Sequence, residues 1–182
     1  MPSVRLFVAC ALPPPVRDAL VAFATPLPGV AWTRPEQLHL TLRFLGDVEQ
    51  PRIEALQERL QTVRVEPFLL PVSGLGAFPS KNAPRVLWAG VGSGHPHLFQ
   101  LRQRLDDALL AEGLDFDVRT FHPHVTVARC TETAAGAAHH WLHLHREFSA
   151  PPFRVDSFAL WSSELRPEGA VHTLVQRFPL AN

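Results

Sequence analysis

Two stretches decide how this chain is read: RPEQLHLTL at Arg34–Leu42 and RTFHPHVTV at Arg119–Val127. They align without a gap, 85 residues apart in a chain of 182. In each, Arg stands five positions before His, and an aliphatic residue, Thr and a second aliphatic residue follow. Large apolar residues through Leu38–Leu45 and Thr120–Arg129 predict a strand for each copy. Residues two apart on a strand share a face, so His39 projects beside Thr41 and His124 beside Thr126.

The flanking sequence predicts matching surroundings for the two copies. Val4–Ala11 reads as a buried strand closed by Pro13-Pro14-Pro15. A helix carrying Val16, Leu20, Val21 and Phe23 follows. Gly46-Asp47 closes the first motif strand. Ile53, Leu56, Leu60 and Val63 then recur at helical spacing, so Pro51–Val63 reads as an amphipathic helix. Pro67–Val72 and Arg85–Val91 read as strands joined by a long connection holding Phe78, Lys81 and Asn82. His97–Leu110 carries a leucine stripe (Leu98, Leu101, Leu105, Leu109, Leu110) and stops at Gly113. Asp115–Val118 reads as a short extended piece, Thr133–His145 as a helix, and Phe153–Ser162 with Val171–Phe178 as a terminal strand pair. The expected fold is α+β in one domain spanning residues 1–182. It is bilobal: two pseudo-symmetric half-domains, each a largely antiparallel sheet with flanking helices, with an active-site cleft between the lobes.

Composition narrows the function classes. Lys and Arg total 17 against 17 Asp and Glu, so the formal net charge is zero. That argues against a broad electrostatic groove for long nucleic acid, though a small phosphate site needs only a few local donors. Cys10 and Cys130 are too few for a disulfide framework, and no apolar run approaches a membrane span. The expectation is a cytoplasmic protein with no membrane association, monomeric and without an obligate protein partner.

Of ten histidines, the spacing singles out His39 and His124. Two imidazoles are the minimal set for acid–base chemistry near neutral pH, one accepting a proton while the other donates. Thr41 and Thr126 hydroxyls at matched positions suit the non-bridging oxygens of a phosphoryl group. His139 and His143 have a metal-capable spacing, but no carboxylate or Cys completes a ligand set, so no metal or organic cofactor is expected. His122 shares the predicted strand face of His124 and is a candidate lining residue. His172 directly precedes Thr173 and is not a third copy of the motif.

HLTLRFLG at His39–Gly46 and FHPHVTVAR at Phe121–Arg129 resemble the paired motifs of the two-histidine (2H) phosphoesterase superfamily. The whole chain resembles its RNA 2′,3′-cyclic phosphodiesterase branch, also called 2′-5′ RNA ligase-like. The opening RLFVACALPPPVRDAL and the closing FRVDSFALW share that resemblance. It implies metal-independent opening of terminal 2′,3′-cyclic phosphates, on RNA ends or small nucleotides, to leave a 2′-phosphate. It also implies weak ATP-independent 2′-5′ joining in some members. His39 would be the general acid and His124 the general base, although the sequence alone leaves the two interchangeable. Thr41 and Thr126 would hold phosphate oxygens.

The resemblance further places Phe44 at the base and Arg129 at an anion. Strict alternation disagrees: it puts Phe44 with Leu40 and Leu42, and Arg129 with Val125 and Val127, on the faces away from the histidines. A bulge would restore both. Two rival readings stay open: an enzyme for another cyclic ester such as ADP-ribose cyclic phosphate, and a nucleotide- or RNA-binding module without turnover.

Overall fold

Nine strands and four α-helices are laid out in a computed structural model that describes residues 2–92, 94–116 and 119–181. The chain begins with β1 (Ser3–Ala11), α1 (Pro14–Val21), β2 (Val30–Trp32), β3 (His39–Glu49) and α2 (Ile53–Leu60). It continues through β4 (Phe68–Phe78), β5 (Val86–Val91), α3 (Pro96–Ala111) and β6 (His124–Cys130). The last elements are α4 (Ala135–Leu144), β7 (Ser149–Val155), β8 (Ser157–Arg166) and β9 (Gly169–Pro179). One sheet has the order β3-β1-β8-β9 and the other β2-β6-β5-β4-β7, and every pairing is antiparallel. The fold is the expected α+β architecture with two lobes.

The two sheets correspond strand for strand. β3-β1-β8-β9 matches β6-β5-β4-β7, and β2 is an addition beside β6. Each motif strand ends its four-strand run, and β3 and β6 meet where the two sheets approach. The helix inserted before each motif strand packs on the opposite lobe. α1, which follows β1, lies against β7. α3, which follows β5, lies against α2, and its Asp106 carboxylate accepts from Arg43 of β3 at 2.9 and 2.6 Å. α2 is tied to β9 by Gln57 and Gln176, at 2.7 Å.

Buried residues form one continuous apolar core. Its contributors include Leu6, Val8 and Cys10 from β1, Leu40 and Leu42 from β3, and Leu98, Leu101, Leu105 and Leu109 from α3. Leu110, expected on that stripe, is exposed. Complete burial pushes the Cys10 thiol up to about 12, aided by the negative charge of Asp156, so Cys10 serves as a core residue and not a nucleophile.

Several boundaries differ from those expected. β4 runs on to Phe78 through Gly74 and Gly76, where a loop was expected after Val72. Gly74 takes φ +77° beside a register shift, and the Trp88 ring lies where a Cβ on Gly76 would sit. The expected strand at Phe153–Ser162 is two strands broken at Asp156, where the chain passes from one sheet to the other. β2 is only three residues long and carries no apolar alternation to betray it. Within Asp115–Val118, Asp115 and Phe116 adopt no regular structure, and Asp117 and Val118 lie outside the described residues. Among the described residues, no helix is long and apolar enough to cross a membrane.

Candidate active site

Both motif strands carry the same defect at the same place. In the β1–β3 ladder Ala9 pairs with Thr41 but Val8 pairs with Arg43, leaving Leu42 extra. In the β5–β6 ladder Trp88 pairs with Thr126 but Leu87 pairs with Ala128, leaving Val127 extra. These are β-bulges at equivalent positions, and each reverses the alternation that follows it. Leu42 and Arg43 are consecutively buried, as are Val127 and Ala128. Phe44 and Arg129, themselves equivalent, therefore emerge on the histidine side, both exposed. With 66% of its surface open, Phe44 is no core residue. Its ring centroid lies 6.1 Å from Phe7, which in turn lies 5.0 Å from His39.

The first bulge has a visible anchor. It turns Arg43 inward, where the guanidinium grips Asp106 through two nitrogens and lies 4.1 Å from the Phe116 ring centroid. Arg102 approaches the same carboxylate at 3.3 Å. A buried guanidinium is tolerated there because its charge and its planar face both find partners.

The two histidines are held alike. His39 Nδ1 lies 2.6 Å from the carbonyl of Gln37, and His124 Nδ1 lies 2.6 Å from the carbonyl of His122. A carbonyl only accepts, so each Nδ1 carries hydrogen and Nε2 is left as the titrating nitrogen. Burial pushes the pKa of His39 down to about 4; the Gln37 carbonyl opposes this, while the charges of His172 and His124 add to it. His124 thus faces His39 closely enough for its charge to be felt across the cleft. Burial also holds the pKa of His124 below its ordinary value, against the pull of the His122 carbonyl and with a further lowering from the His122 ring. Both imidazoles favour their neutral forms in the unliganded protein. Thr41 and Thr126 lie beside them, half-buried, on the same face.

The walls behind this matched set differ. Behind His39 and Thr41 stand the small Ala9 and the ring of Phe7. Behind His124 and Thr126 stands the Trp88 indole, with Phe78 edge-on to His124 at 5.1 Å and 82°. His122 sits just outside β6, which begins at His124 and not at Thr120 as expected. Its exposed ring lies 6.4 Å from Phe78, so it borders the site without belonging to the strand face. Sequence reasoning missed two neighbours. His172 of β9 meets His39 at 5.4 Å with the rings at 89°, and Phe7 packs against both. Only the pairing of β9 with β8, and of β8 with β1, could have brought a residue so distant in sequence to the motif. His139 and His143 lie exposed on α4, and no group of three or more His, Cys, Asp or Glu side chains is placed to hold a metal among the described residues.

Two matched sheets, each offering a His-x-Thr pair on a bulged strand beside one cleft, define a bilobal two-histidine fold. The sequence profile described as LigT like Phosphoesterase matches residues 11–88 and 91–172, and the chain belongs to this family. It is 33% identical to a protein of Archaeoglobus fulgidus named RNA 2′,3′-cyclic phosphodiesterase, covering 93% of this chain and 96% of that one. A protein of the same name from Thermus thermophilus is 36% identical, over 97% and 90% of the two chains. A shorter match, 40% identical to the protein of that name from Aeropyrum pernix, covers 63% of each chain.

Among solved structures, TT0787 of Thermus thermophilus superposes with a TM-score of 0.78 at 33% identity, covering 97% of both chains. Escherichia coli LigT complexed with 3′-AMP gives a TM-score of 0.79 at 26% identity, covering both chains fully.

Proposed function

We propose that this chain is an RNA 2′,3′-cyclic phosphodiesterase, hydrolysing terminal 2′,3′-cyclic phosphates to 2′-phosphates by acid–base catalysis between His39 and His124. The observation that carries the reading is the pair of imidazoles, each with Nδ1 fixed on a carbonyl two residues upstream and Nε2 left to exchange protons. The names of the relatives support the substrate class.

Water attacks phosphorus opposite the 3′ oxygen while His124 Nε2 takes its proton. The bond from phosphorus to the 3′ oxygen breaks, and His39 Nε2–H protonates the departing oxygen. Thr41 and Thr126 hydroxyls donate to the non-bridging oxygens as charge grows on them. One proton is gained and one lost by the pair, so exchange with solvent resets it. The strained five-membered ring asks little more of the protein, and proton transfer to and from the histidines needs no metal. Positioned acid–base groups of this kind supply about 10² to 10⁴ each in rate.

His39 is neutral in the unliganded protein and takes up the proton it later donates once substrate is bound, because the phosphate anion beside it favours imidazolium. Phe44 offers an exposed ring for the base and Arg129 a cation on the equivalent position of the other lobe. A 5′-hydroxyl replacing water in the same site would give a 2′-5′ linkage, a minor outcome against bulk water.

The test is turnover of 2′,3′-cyclic AMP by the purified chain and by His39→Ala and His124→Ala. Wild type should hydrolyse it, and each variant should lose activity while remaining folded. Wild-type turnover in either variant would contradict the paired mechanism. If ADP-ribose cyclic phosphate outcompetes the nucleotide, the chemistry stands and the substrate changes.

A further inference from the structure

The β8–β9 hairpin ends in an arrangement that the fold alone does not require. β8 pairs with β1 only from Ala159 to Ser162, and beyond Ser162 it pairs only with β9. The two-stranded tip from Ser163 to His172 therefore projects past β1, and it comes down on the segment that precedes β3. There the Gln37 side-chain amide donates to the carbonyl of Ala170. The backbone carbonyl of the same Gln37 accepts from His39 Nδ1. One residue thus ties the hairpin tip and the His39 ring to a common point.

The tip delivers His172. Its ring stands edge-on to His39 at 5.4 Å and 89°, and to Phe7 at 4.9 Å and 71°. Phe7 lies against His39 at 5.0 Å and 33°, so His39 is held between two rings. Across the cleft, His124 has an edge-on neighbour too, but there it is Phe78. Each imidazole therefore leans on one perpendicular ring, and only the ring beside His39 carries nitrogens. His172 Nδ1 is buried and has no hydrogen-bond partner among the described residues, so no polar bond of that atom fixes His172 in place.

We propose that His172 is a positioning residue acting through His39, and that the hairpin pinned by Gln37 is the device that holds its ring against the imidazole. This rests on the two-histidine reading of the site and deepens it. An aromatic edge at this position keeps Nε2 of His39 aimed at the leaving oxygen. The titratable groups that face His39 are His172 from β9 and His124 from β6. Phe7 and Gln37, its other neighbours, bear no charge.

His172→Ala and His172→Phe separate ring packing from chemistry. Phe keeps the edge-on ring and removes a buried nitrogen without a partner, so its stability should equal or exceed that of wild type. With 2′,3′-cyclic AMP, His172→Ala should lower kcat by about 10-fold to 100-fold with KM little changed, as misplacement of a catalytic group does. His172→Phe should restore kcat to near the wild-type value. Unchanged kcat in His172→Ala, or equal losses in both variants, would overturn the proposal.

A readout independent of turnover is the NMR titration of the His39 ring. In His172→Phe, which keeps a ring against His39, the midpoint should stay well below the ordinary histidine value. In His172→Ala, which opens His39 to water, it should rise toward that value. A midpoint in His172→Ala no higher than in His172→Phe would overturn the proposal. Should wild type fail to hydrolyse the probe, the functional reading falls and this titration still decides the role of His172.

Discussion

The depressed proton affinity of His39 makes the native fold acid-sensitive in a way one substitution can isolate. An unfolded histidine titrates near 6.5 and His39 in the fold at about 4. Between these values the unfolded chain binds more protons than the native one, so stability rises with pH across the window and falls on acidification. The contribution is fully present above 6.5 and is lost as pH drops toward 4. Moving from pH 7 to 4.5 should remove roughly 2 to 3 kcal/mol through His39 alone.

His39→Asn is the suitable variant, because its amide can still donate to the Gln37 carbonyl while carrying no titrating nitrogen. Urea unfolding of both proteins at pH 7 and pH 4.5 gives the difference directly. Carboxylates that protonate in the same window affect both proteins and cancel. The variant's deficit at pH 7, from lost packing on Phe7 and His172, should shrink by about 2 kcal/mol at pH 4.5. An equal deficit at both pH values would refute the claim that burial keeps His39 neutral.

Other outcomes follow from the same geometry. His39→Ala and His124→Ala should each reduce kcat/KM by about 10² to 10⁴, read by steady-state kinetics, while circular dichroism shows both folded. Arg43→Ala removes one partner of the Arg43–Asp106 pair beneath the first bulge, and urea denaturation should show a loss of about 3 kcal/mol. Gly76→Ala would set a Cβ 2.1 Å from the Trp88 ring, so it should destabilise by about 1 to 3 kcal/mol and, through the ring behind His124, lower kcat. In the pH dependence of kcat/KM, the optimum should fall between about 4 and the ordinary histidine value, because both imidazoles are held below that value in the free protein.

The placement of the two His-x-Thr pairs was legible in sequence because a strand's period of two is rigid: His and Thr two apart must share a face wherever the strand is regular. The repeat then supplied the second strand. The bulges at Leu42 and Val127 were not legible, because an extra residue in a ladder is defined by its partner strand and leaves no mark in its own. That is why alternation assigned Phe44 and Arg129 to the wrong face. His172 was invisible for a similar reason, since its place beside His39 depends on where the β8–β9 tip leaves β1. Gly74 and Gly76 suggested a loop by composition, yet each serves a strand, one at a register shift and one beneath an indole.

The regiochemistry of the product tests the central claim most directly. Purified protein incubated with 2′,3′-cyclic AMP and excess EDTA should yield 2′-AMP, with His39 protonating the 3′ oxygen and no metal taking part. Formation of 3′-AMP, or loss of activity in EDTA, would contradict the account.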